Sequence, residues 1–208
     1  MGDFFIKKAA TYDKSSRRVA NVNAIVASML KNINFNKSMH IMDFGAGTGL
    51  LLEGIAPYVA QITAVDVSDA MINELNKKKQ ALLNKHDCTL DIVKTDLTQT
   101  IRFDLIFNQS FDGIISSMTL HHIQDIPAIL SGLKQLIKPN GFIAIADLDT
   151  EAGDFHTEDT GVHHFGFDRD YLNKVALEVG FKKIQIHTAN EFVKNGVNYS
   201  VFLFIGYI

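Results

Sequence analysis

The chain has 208 residues, of which 47% are hydrophobic and 21% charged, with a formal net charge of −3. A chain of this length and apolar content can bury a full core and fits a single domain. The weak negative charge argues against nucleic acid and anionic membranes as partners, and the single cysteine, Cys88, excludes an internal disulfide and a cysteine-built zinc site.

The N-terminal residues 1–36 are predicted to form a lid segment and a helix, ahead of a main domain at 37–208. Apolar residues recur at helical spacing over 19–33, which is typical of an amphipathic helix. Asp13 and Ser15 are the candidates for its cap.

The first eight residues lack the long apolar core of a signal peptide. Phe4 and Phe5 need a surface to pack against, so we assign them to the lid. The late apolar run at 201–208 is too short to span a bilayer. These features predict a cytoplasmic protein.

An apolar run at 40–44 contains Asp43 and leads into glycines at alternate positions, Gly45, Gly47 and Gly49. It predicts a buried strand that runs into a tight turn and opens a helix. Glycines permit positive φ and let a ligand approach the backbone, while the first amides of the helix face outward. The pattern favours a small-molecule site; the alternative is a glycine-rich connection without a ligand.

Two further predicted strands also lead to acids. The run at 62–65 ends in Asp66, where an open α/β sheet would present a carboxylate to ribose hydroxyls. The run at 90–95 leads to Asp96, which is placed to accept a hydrogen bond from an exocyclic amine. Together they indicate an adenine nucleoside.

The helix after Asp66 opens at Ser68 or Asp69, and its lysine run at 77–79 is interpreted as a solvated face. For residues 105–107 the pattern does not decide between helix and strand.

A fourth strand is predicted at 111–116. Its carboxyl end should lie beside the glycine loop, with Ser116 and Ser117 facing the cofactor or the substrate.

Asp125 indicates the start of the next helix, which we expect to end at 138–141, before a fifth strand at 142–146. A last helix is capped by Asp168 and ends at Gly180. Two strands at 181–187 and 199–207 are predicted to pair as a hairpin across Asn195 and Gly196.

The long polar stretch at 147–166 is assigned to the substrate side, since a loop of this length is uncommon unless it is functional. His121 and His122 are candidate general bases, and in the alternative interpretation one of them caps a helix or binds a backbone carbonyl. The histidines and carboxylates of the stretch lack the spacing of a metal site, and no metal is predicted. The substrate-side candidates are His121, Asp149, His156, His163 and His164.

These motifs together resemble those of the class I S-adenosylmethionine-dependent methyltransferases of the small-molecule type, and the resemblance covers nearly the whole chain. It implies an α/β, Rossmann-like, doubly wound and mostly parallel seven-stranded sheet, with an antiparallel C-terminal strand and helices on both faces. The stretch at 111–122 resembles the fourth-strand motif with its double histidine. The implied cofactor contacts for S-adenosylmethionine are Tyr12, Asp43, Gly45, Ala46, Gly47, Gly49, Asp66, Val67, Ser68, Met71, Asp96, Leu97, Ser116 and Ser117.

Two alternatives remain open. A nicotinamide-dependent enzyme also has a glycine turn and a second-strand acid, but its Gly-x-Gly-x-x-Gly spacing would place the last glycine at Leu50 or Leu52. A cofactor-binding sensor or partner protein without transfer activity would share the same motifs. The sequence leaves open the methyl acceptor, the use of a base, and the choice between monomer and homodimer.

Overall fold

The computed structural model describes residues 9–99, 107, 110–156 and 161–208. Three of the stretches for which the sequence makes predictions lie wholly or partly outside these residues. They are Phe4 and Phe5 of the lid, residues 105 and 106 of the ambiguous stretch, and residues 157–160 of the polar stretch. The chain divides into two compact units. Unit 1 comprises Met1–Asp96 and Ile115–Ser117, and unit 2 comprises Leu97–Ile114 and Met118–Ile208.

The strands of the described residues are β1 (His40–Phe44), β2 (Gln61–Asp66), β3 (Thr89–Lys94), β4 (Phe111–Ser117), β5 (Ile137–Leu148), β6 (Lys182–Lys194) and β7 (Val197–Tyr207). They form one seven-stranded sheet in the order β3-β2-β1-β4-β5-β7-β6. β7 pairs antiparallel with both β5 and β6, whereas β1 pairs parallel with β2, and β2 with β3. This confirms the predicted seven-stranded sheet with its antiparallel C-terminal strand.

Each of the four longest helices begins at a side chain that accepts a hydrogen bond from an amide three residues on, which satisfies one orphan donor of the first turn. The caps are Ser15, Ser68, Asp125 and Asp168. The sequence left two candidates for each of two caps, Asp13 or Ser15 and Ser68 or Asp69. The structure shows that the serine is the cap in both cases. The helices are α1 (Ala9–Tyr12), α2 (Ser16–Asn32), α3 (Leu50–Ile55), α4 (Asp69–His86), α5 (Ile126–Gln135) and α6 (Arg169–Val179), with 3₁₀ turns at Ala56–Tyr58, Leu97–Gln99 and Leu120–His122.

In unit 1 the parallel register aligns the carboxyl ends of the first three strands. Phe44 lies beside Val65, and Asp66 lies beside Lys94. Helix α2 buries one face, and Gly54 lets α3 approach it, because a Cβ at Gly54 would lie 2.6 Å from the Val26 side chain. The glycine loop and the acids of β1 and β2 therefore meet at one edge of this unit.

In unit 2 the prediction that 138–141 closes a helix is wrong. Helix α5 ends at Gln135, and the stretch belongs to β5. Lys138 forms an ion pair with Asp112 of β4 (2.9 Å), and a Cβ at Gly141 would lie 2.7 Å from the Asp112 carbonyl oxygen. Contacts with a strand distant in sequence thus extend β5 through residues that usually end a helix.

The hairpin predicted across Asn195 and Gly196 is confirmed, with positive φ at both residues (52° and 82°). That pair of conformations matches the two-residue turns that join twisted antiparallel strands. β6 is longer than predicted and β7 begins earlier, because cross-strand pairing continues to the turn, where Lys194 lies opposite Val197.

Candidate functional site

The most unusual group of unit 1 is the carboxyl group of Asp43 in β1. It is 1% exposed, and its Oδ2 atom has no hydrogen-bond partner in the described ranges. Burial, and secondly the charge of Asp66, raise the pKa of Asp43 to about 8, while a hydrogen bond from the Leu52 backbone opposes this shift. A buried carboxyl oxygen without a hydrogen-bond partner is costly to the fold, so Oδ2 of Asp43 is a natural acceptor for a cationic donor from a ligand.

The glycine loop that follows combines tight packing with open space. Gly49 has φ +90°, and a Cβ there would lie 2.9 Å from Leu75. Gly47 has φ +56°, and nothing lies within 4 Å of the position that its Cβ would occupy. Gly45 and Ala46 donate backbone hydrogen bonds to Val65 (2.9 and 3.0 Å). The loop is therefore held on β2 while the backbone at Gly47 faces a space that a ligand could fill.

Asp66 at the end of β2 ties this loop in place. Its Oδ2 accepts a hydrogen bond from the Gly47 amide (2.7 Å), and its Oδ1 accepts one from the Ser68 amide (2.9 Å). Ser68 and Met71 are buried, whereas Val67 is 55% exposed. Of these three implied cofactor contacts, only Val67 thus presents most of its surface to solvent.

The segment around α1 is fastened to the glycine loop by Asp13. Thr48 donates a hydrogen bond to one Asp13 oxygen (2.5 Å), and Lys78 of α4 contacts the other (2.7 Å). Lys78 also lies 3.3 Å from Glu53. The prediction that the lysine run is a solvated face is wrong for Lys78, because it reaches these two acids. No local pattern signalled this network, since its members come from four separate segments.

Tyr12 lies next to this network, with the Arg18 guanidinium 4.3 Å from its ring centroid. Burial raises the pKa of Tyr12, the charge of Arg18 opposes the shift, and the charges of Asp13 and Asp66 add to it.

The remaining predicted cofactor contacts differ in their surroundings. Asp96 is half-buried after β3, and Leu97 is buried at the start of a 3₁₀ turn. Ser116 is fully buried, and its hydroxyl donates to the Phe44 carbonyl oxygen (2.7 Å), while Ser117 is half-buried. The Ser116 hydroxyl therefore joins β4 to β1, and its hydrogen is already used within unit 1.

Unit 2 contains a cluster of histidines around a buried carboxylate. His121 Nδ1 lies 2.7 Å from Asp147 Oδ1, and the two side chains are 2% and 0% exposed. Burial acts to raise the pKa of Asp147, but the charge and hydrogen bond of His121 outweigh it and the pKa is lowered. Asp147 was not among the predicted site residues, although its position at the end of an apolar strand was the available signal.

His122 and His156 lie against His121, with ring centroids 4.2 and 5.0 Å from it. Burial, and then the neighbouring charge of His121, lower the pKa of each to about 4. Both imidazoles are therefore neutral at pH 7. His122 Nδ1 also lies 3.3 Å from the Gly161 carbonyl oxygen.

Other predicted substrate-side residues take part in holding the long loop together. The amides of His163 and His164 donate to the His121 carbonyl oxygen (2.9 and 3.2 Å). The His164 ring lies against the Ile123 carbonyl, with Nε2 2.9 Å from its oxygen, and the His163 side chain is exposed. Asp149 forms a two-bond ion pair with Arg169 (2.6 Å for each bond). The structure thus brings His121, His122 and His156 together and directs Asp149 to Arg169.

In the ranges that the structure describes, no group of three or more histidine, cysteine or acidic side chains could hold a metal ion. None of the described helices has the length and apolar character needed to cross a membrane.

Comparison with known proteins gives consistent matches. A family model described as a methyltransferase domain matches residues 14–186. A protein of Schizosaccharomyces pombe named as an uncharacterized methyltransferase is 36% identical over 151 residues, which is 66% of this chain and 52% of that protein. A ubiquinone biosynthesis O-methyltransferase of Coxiella burnetii is 32% identical over 108 residues, which is 50% of this chain and 42% of that protein. The chain spans about half the length of such curated relatives.

Solved structures share the fold at low sequence identity. A crystal structure described as that of a methyltransferase from Bacillus halodurans has a TM-score of 0.66 at 16% identity. The match covers 88% of this chain and 97% of that chain. The structure of the magnesium protoporphyrin IX methyltransferase of Synechocystis with bound S-adenosylhomocysteine has a TM-score of 0.65 at 18% identity. The match covers 90% of this chain and 83% of that chain.

Proposed function

The chain belongs to the methyltransferase-domain family, and from this premise we propose that it transfers the methyl group of S-adenosylmethionine to a small-molecule acceptor by in-line displacement. The named activity of the Coxiella relative and the bound S-adenosylhomocysteine of the Synechocystis structure support this assignment. The acceptor is proposed to be small because the formal net charge of −3 gives the chain no overall basic field for a polymer such as nucleic acid.

The observation that carries the proposal is the buried, unpaired Oδ2 atom of Asp43. The amino-acid part of S-adenosylmethionine bears an ammonium group, which would supply the missing donor and the opposite charge. The open space at Gly47 lies in the loop that begins directly after β1, so a ligand there would meet backbone rather than a Cβ atom. The residues present therefore fit this cofactor.

The other contacts follow from the positions of the acids. Asp66 would accept hydrogen bonds from the ribose hydroxyls while it holds the Gly47 amide, and Asp96 would accept one from the adenine amine. Tyr12 would cover the cofactor, since Asp13 fastens its segment to Thr48. The remaining proposed contacts are Gly45, Ala46, Gly49, Val67, Ser68, Met71, Leu97, Ser116 and Ser117.

When bound, the sulfonium supplies a methyl group on an excellent leaving group. The protein then has to hold the acceptor in line and exclude water. We propose that Asp43 and the glycine loop bind the cofactor. We propose His121 or His122 as the base where the acceptor carries a proton, and His156, His163 and His164 as contacts of the acceptor.

Isothermal titration with S-adenosylmethionine and S-adenosylhomocysteine tests the cofactor assignment directly. We expect wild-type protein to bind both, and Asp43→Asn or Asp66→Asn to weaken binding by about 10- to 100-fold, the usual cost of losing a charged hydrogen-bond partner. Asp91→Asn is the matched control, because Asp91 lies on β3 and accepts a hydrogen bond from Gln61 away from the site. Equal affinities in all four proteins would contradict the proposal.

Two other functions are separated by simple measurements. A sensor without transfer activity would bind the cofactor but release no S-adenosylhomocysteine with any acceptor fraction. A nicotinamide enzyme would be stabilised by NADH and not by the sulfonium in a thermal-shift comparison. The nicotinamide function is disfavoured because the chain lacks the last glycine of the dinucleotide motif, with leucines at 50 and 52.

We also propose that the protein acts in the cytoplasm, which its single cysteine supports, and that it works as a monomer or a homodimer. Neither nucleic acid nor a membrane is a proposed partner. Cell fractionation and light scattering of the purified protein test these points.

A further inference from the structure

Lys78 of α4 lies between two carboxylates that belong to different segments of unit 1. Its ammonium group lies 2.7 Å from Asp13, which directly follows α1, and 3.3 Å from Glu53 of α3. The Lys78 side chain is 20% exposed, whereas those of Asp13 and Glu53 are 35% and 42% exposed. One half-buried lysine is thus shared by two acids that are distant from it in sequence.

The second oxygen of Asp13 joins its segment to the glycine loop. Thr48, whose side chain is buried, donates its hydroxyl hydrogen to Asp13 Oδ1 (2.5 Å). The amide of Gly47, one residue earlier, donates to Asp66 (2.7 Å). The loop is therefore fastened from two directions, by an acid of β2 and by an acid of residues 9–14, which we call the strap.

The strap depends on other elements for its position. Helix α1 has only four residues, and a single helical turn is not stable by itself. Ser15, directly after the strap, already caps α2. Ala9 is buried at one end of the strap, and Asp13 supplies polar contacts with the glycine loop and α4 at the other end. Loss of the contacts at Asp13 would therefore release that end.

Glu53 weakens the hold of Lys78 on Asp13. Two carboxylates that approach one ammonium group also repel each other, and this repulsion lasts only while the strap is in place. Lys78 keeps Glu53 as a partner when Asp13 leaves, so opening does not strand a charge. All three groups are partly exposed, and solvent screens such pairs strongly. The balance between the closed and the open strap is therefore shifted easily.

The contact between Asp13 and Thr48 also connects two proposed cofactor contacts. Tyr12 directly precedes Asp13 in the strap. Gly47 directly precedes Thr48, and nothing lies within 4 Å of the position that a Cβ at Gly47 would occupy. Breaking the contact therefore frees both the residue that would cover the cofactor and the loop that would hold it.

We propose that Lys78 is a positioning residue that keeps the strap closed through Asp13, and that Glu53 competes with Asp13 for Lys78 and so promotes opening. The open strap admits and releases the cofactor, so these three side chains set the rate of cofactor exchange. The part of this inference that concerns the cofactor rests on the proposed function, whereas the opposite effects of the two acids on the strap do not.

The first test needs no cofactor. Hydrogen exchange followed by mass spectrometry reports how often the strap opens, because its amides exchange faster in the open form. We expect Lys78→Met to raise the exchange rate of residues 9–14 by about two- to fivefold, the range of a partly exposed ion pair, and Glu53→Gln to lower it. Exchange that Lys78→Met leaves unchanged, or that Glu53→Gln does not lower, would overturn the inference.

The matched controls for these variants are Lys77→Met and Glu74→Gln. The two side chains pair with each other along α4 (2.7 Å), and the Lys77 side chain is 68% exposed. Each control therefore removes the same kind of charge from the same unit without touching Asp13. Both controls should exchange as wild-type protein does, and a control that matches Lys78→Met would refute the specific role of Lys78.

Salt distinguishes a charge effect from lost packing of the lysine side chain. Raising sodium chloride from about 0.05 M to about 0.5 M shortens the range of electrostatic interactions severalfold less than their strength at contact is worth, yet it weakens exposed pairs. Exchange of the strap in wild-type protein should rise towards that of Lys78→Met, whose own rate should change less. A difference between the two proteins that salt leaves intact would contradict the proposal.

The second test measures association and dissociation of S-adenosylhomocysteine by surface plasmon resonance. We expect Lys78→Met to raise both rate constants and Glu53→Gln to lower both, because the ligand enters and leaves through the same opening. A site that is merely weakened would show only faster dissociation, which would overturn the role of the strap in exchange. Wild-type protein that binds no cofactor would instead overturn the proposed function, and the first test would still decide the effects of Lys78 and Glu53 on the strap.

Discussion

Replacing Asp43 by asparagine is expected to change how the free energy of unfolding depends on pH. Asp43 has a pKa of about 8 in the folded protein against an ordinary value of 3.8, because it is buried and faces the charge of Asp66. The folded state therefore binds the proton more tightly than the unfolded state. The favourable contribution of Asp43 to the free energy of unfolding is complete below pH 3.8 and is lost progressively until about pH 8.

The magnitude follows from the size of the shift. A difference of about four pH units, at about 1.4 kcal/mol for each, sets an upper limit of about 6 kcal/mol. Between pH 5 and pH 7 the wild-type protein should lose about 3 kcal/mol relative to Asp43→Asn. Asparagine is uncharged, so this slope should disappear in the variant.

Urea unfolding without cofactor at pH 5, 6, 7 and 8 measures this difference. Wild-type protein, Asp43→Asn and the control Asp91→Asn are compared at each pH. The difference between wild-type protein and Asp43→Asn should grow with pH, and Asp91→Asn should follow wild-type protein. A constant difference across the range would refute the claim that burial raises the pKa of Asp43.

Three further predictions concern unit 1. Binding of S-adenosylmethionine at pH 7 should release a proton from Asp43, which calorimetry in buffers of different ionisation enthalpy detects, and Asp43→Asn should abolish the release. Gly49→Ala should destabilise the fold by about 1–3 kcal/mol in urea unfolding, because the residue has φ +90° and its Cβ would lie 2.9 Å from Leu75; a variant as stable as wild-type protein would contradict this. Lys37 Nζ lies 2.6, 3.1 and 3.4 Å from the carbonyl oxygens of His86, Val59 and Ala56. Lys37→Met should therefore cost about 1 kcal/mol, and Lys31→Met, on the surface of α2, is its control.

Several parts of the fold could be predicted from sequence because they depend on near neighbours. A serine or aspartate three residues before an amide caps a helix through local geometry, as Ser15 and Asp168 do. Asn195 and Gly196 accept positive φ, so the hairpin turn is encoded in two adjacent residues. The order of strand, glycine turn and acid was likewise sufficient to place Asp43 and Asp66.

The errors arise where a distant contact outweighs a local preference. The stretch at 138–141 has the composition of a helix end, yet it belongs to β5, where Lys138 lies 2.9 Å from Asp112 of β4. Lys78 has the context of a solvated lysine, but Asp13 lies 2.7 Å from it. Neither partner is signalled by spacing, because each comes from another element.

The sequence by itself determined the caps at Asp125 and Asp168, the hairpin and the edge at which the acids of β1 and β2 gather, since periodicity and turn chemistry act over a few residues. Tertiary structure alone decided which serines cap α2 and α4, that Oδ2 of Asp43 has no hydrogen-bond partner among the described residues, and that Asp149 is bound by Arg169 and Asp147 by His121. Charge and protonation depend on burial and on the group a few ångströms away. That group is supplied by chain folding, and its distance along the sequence carries no information about it.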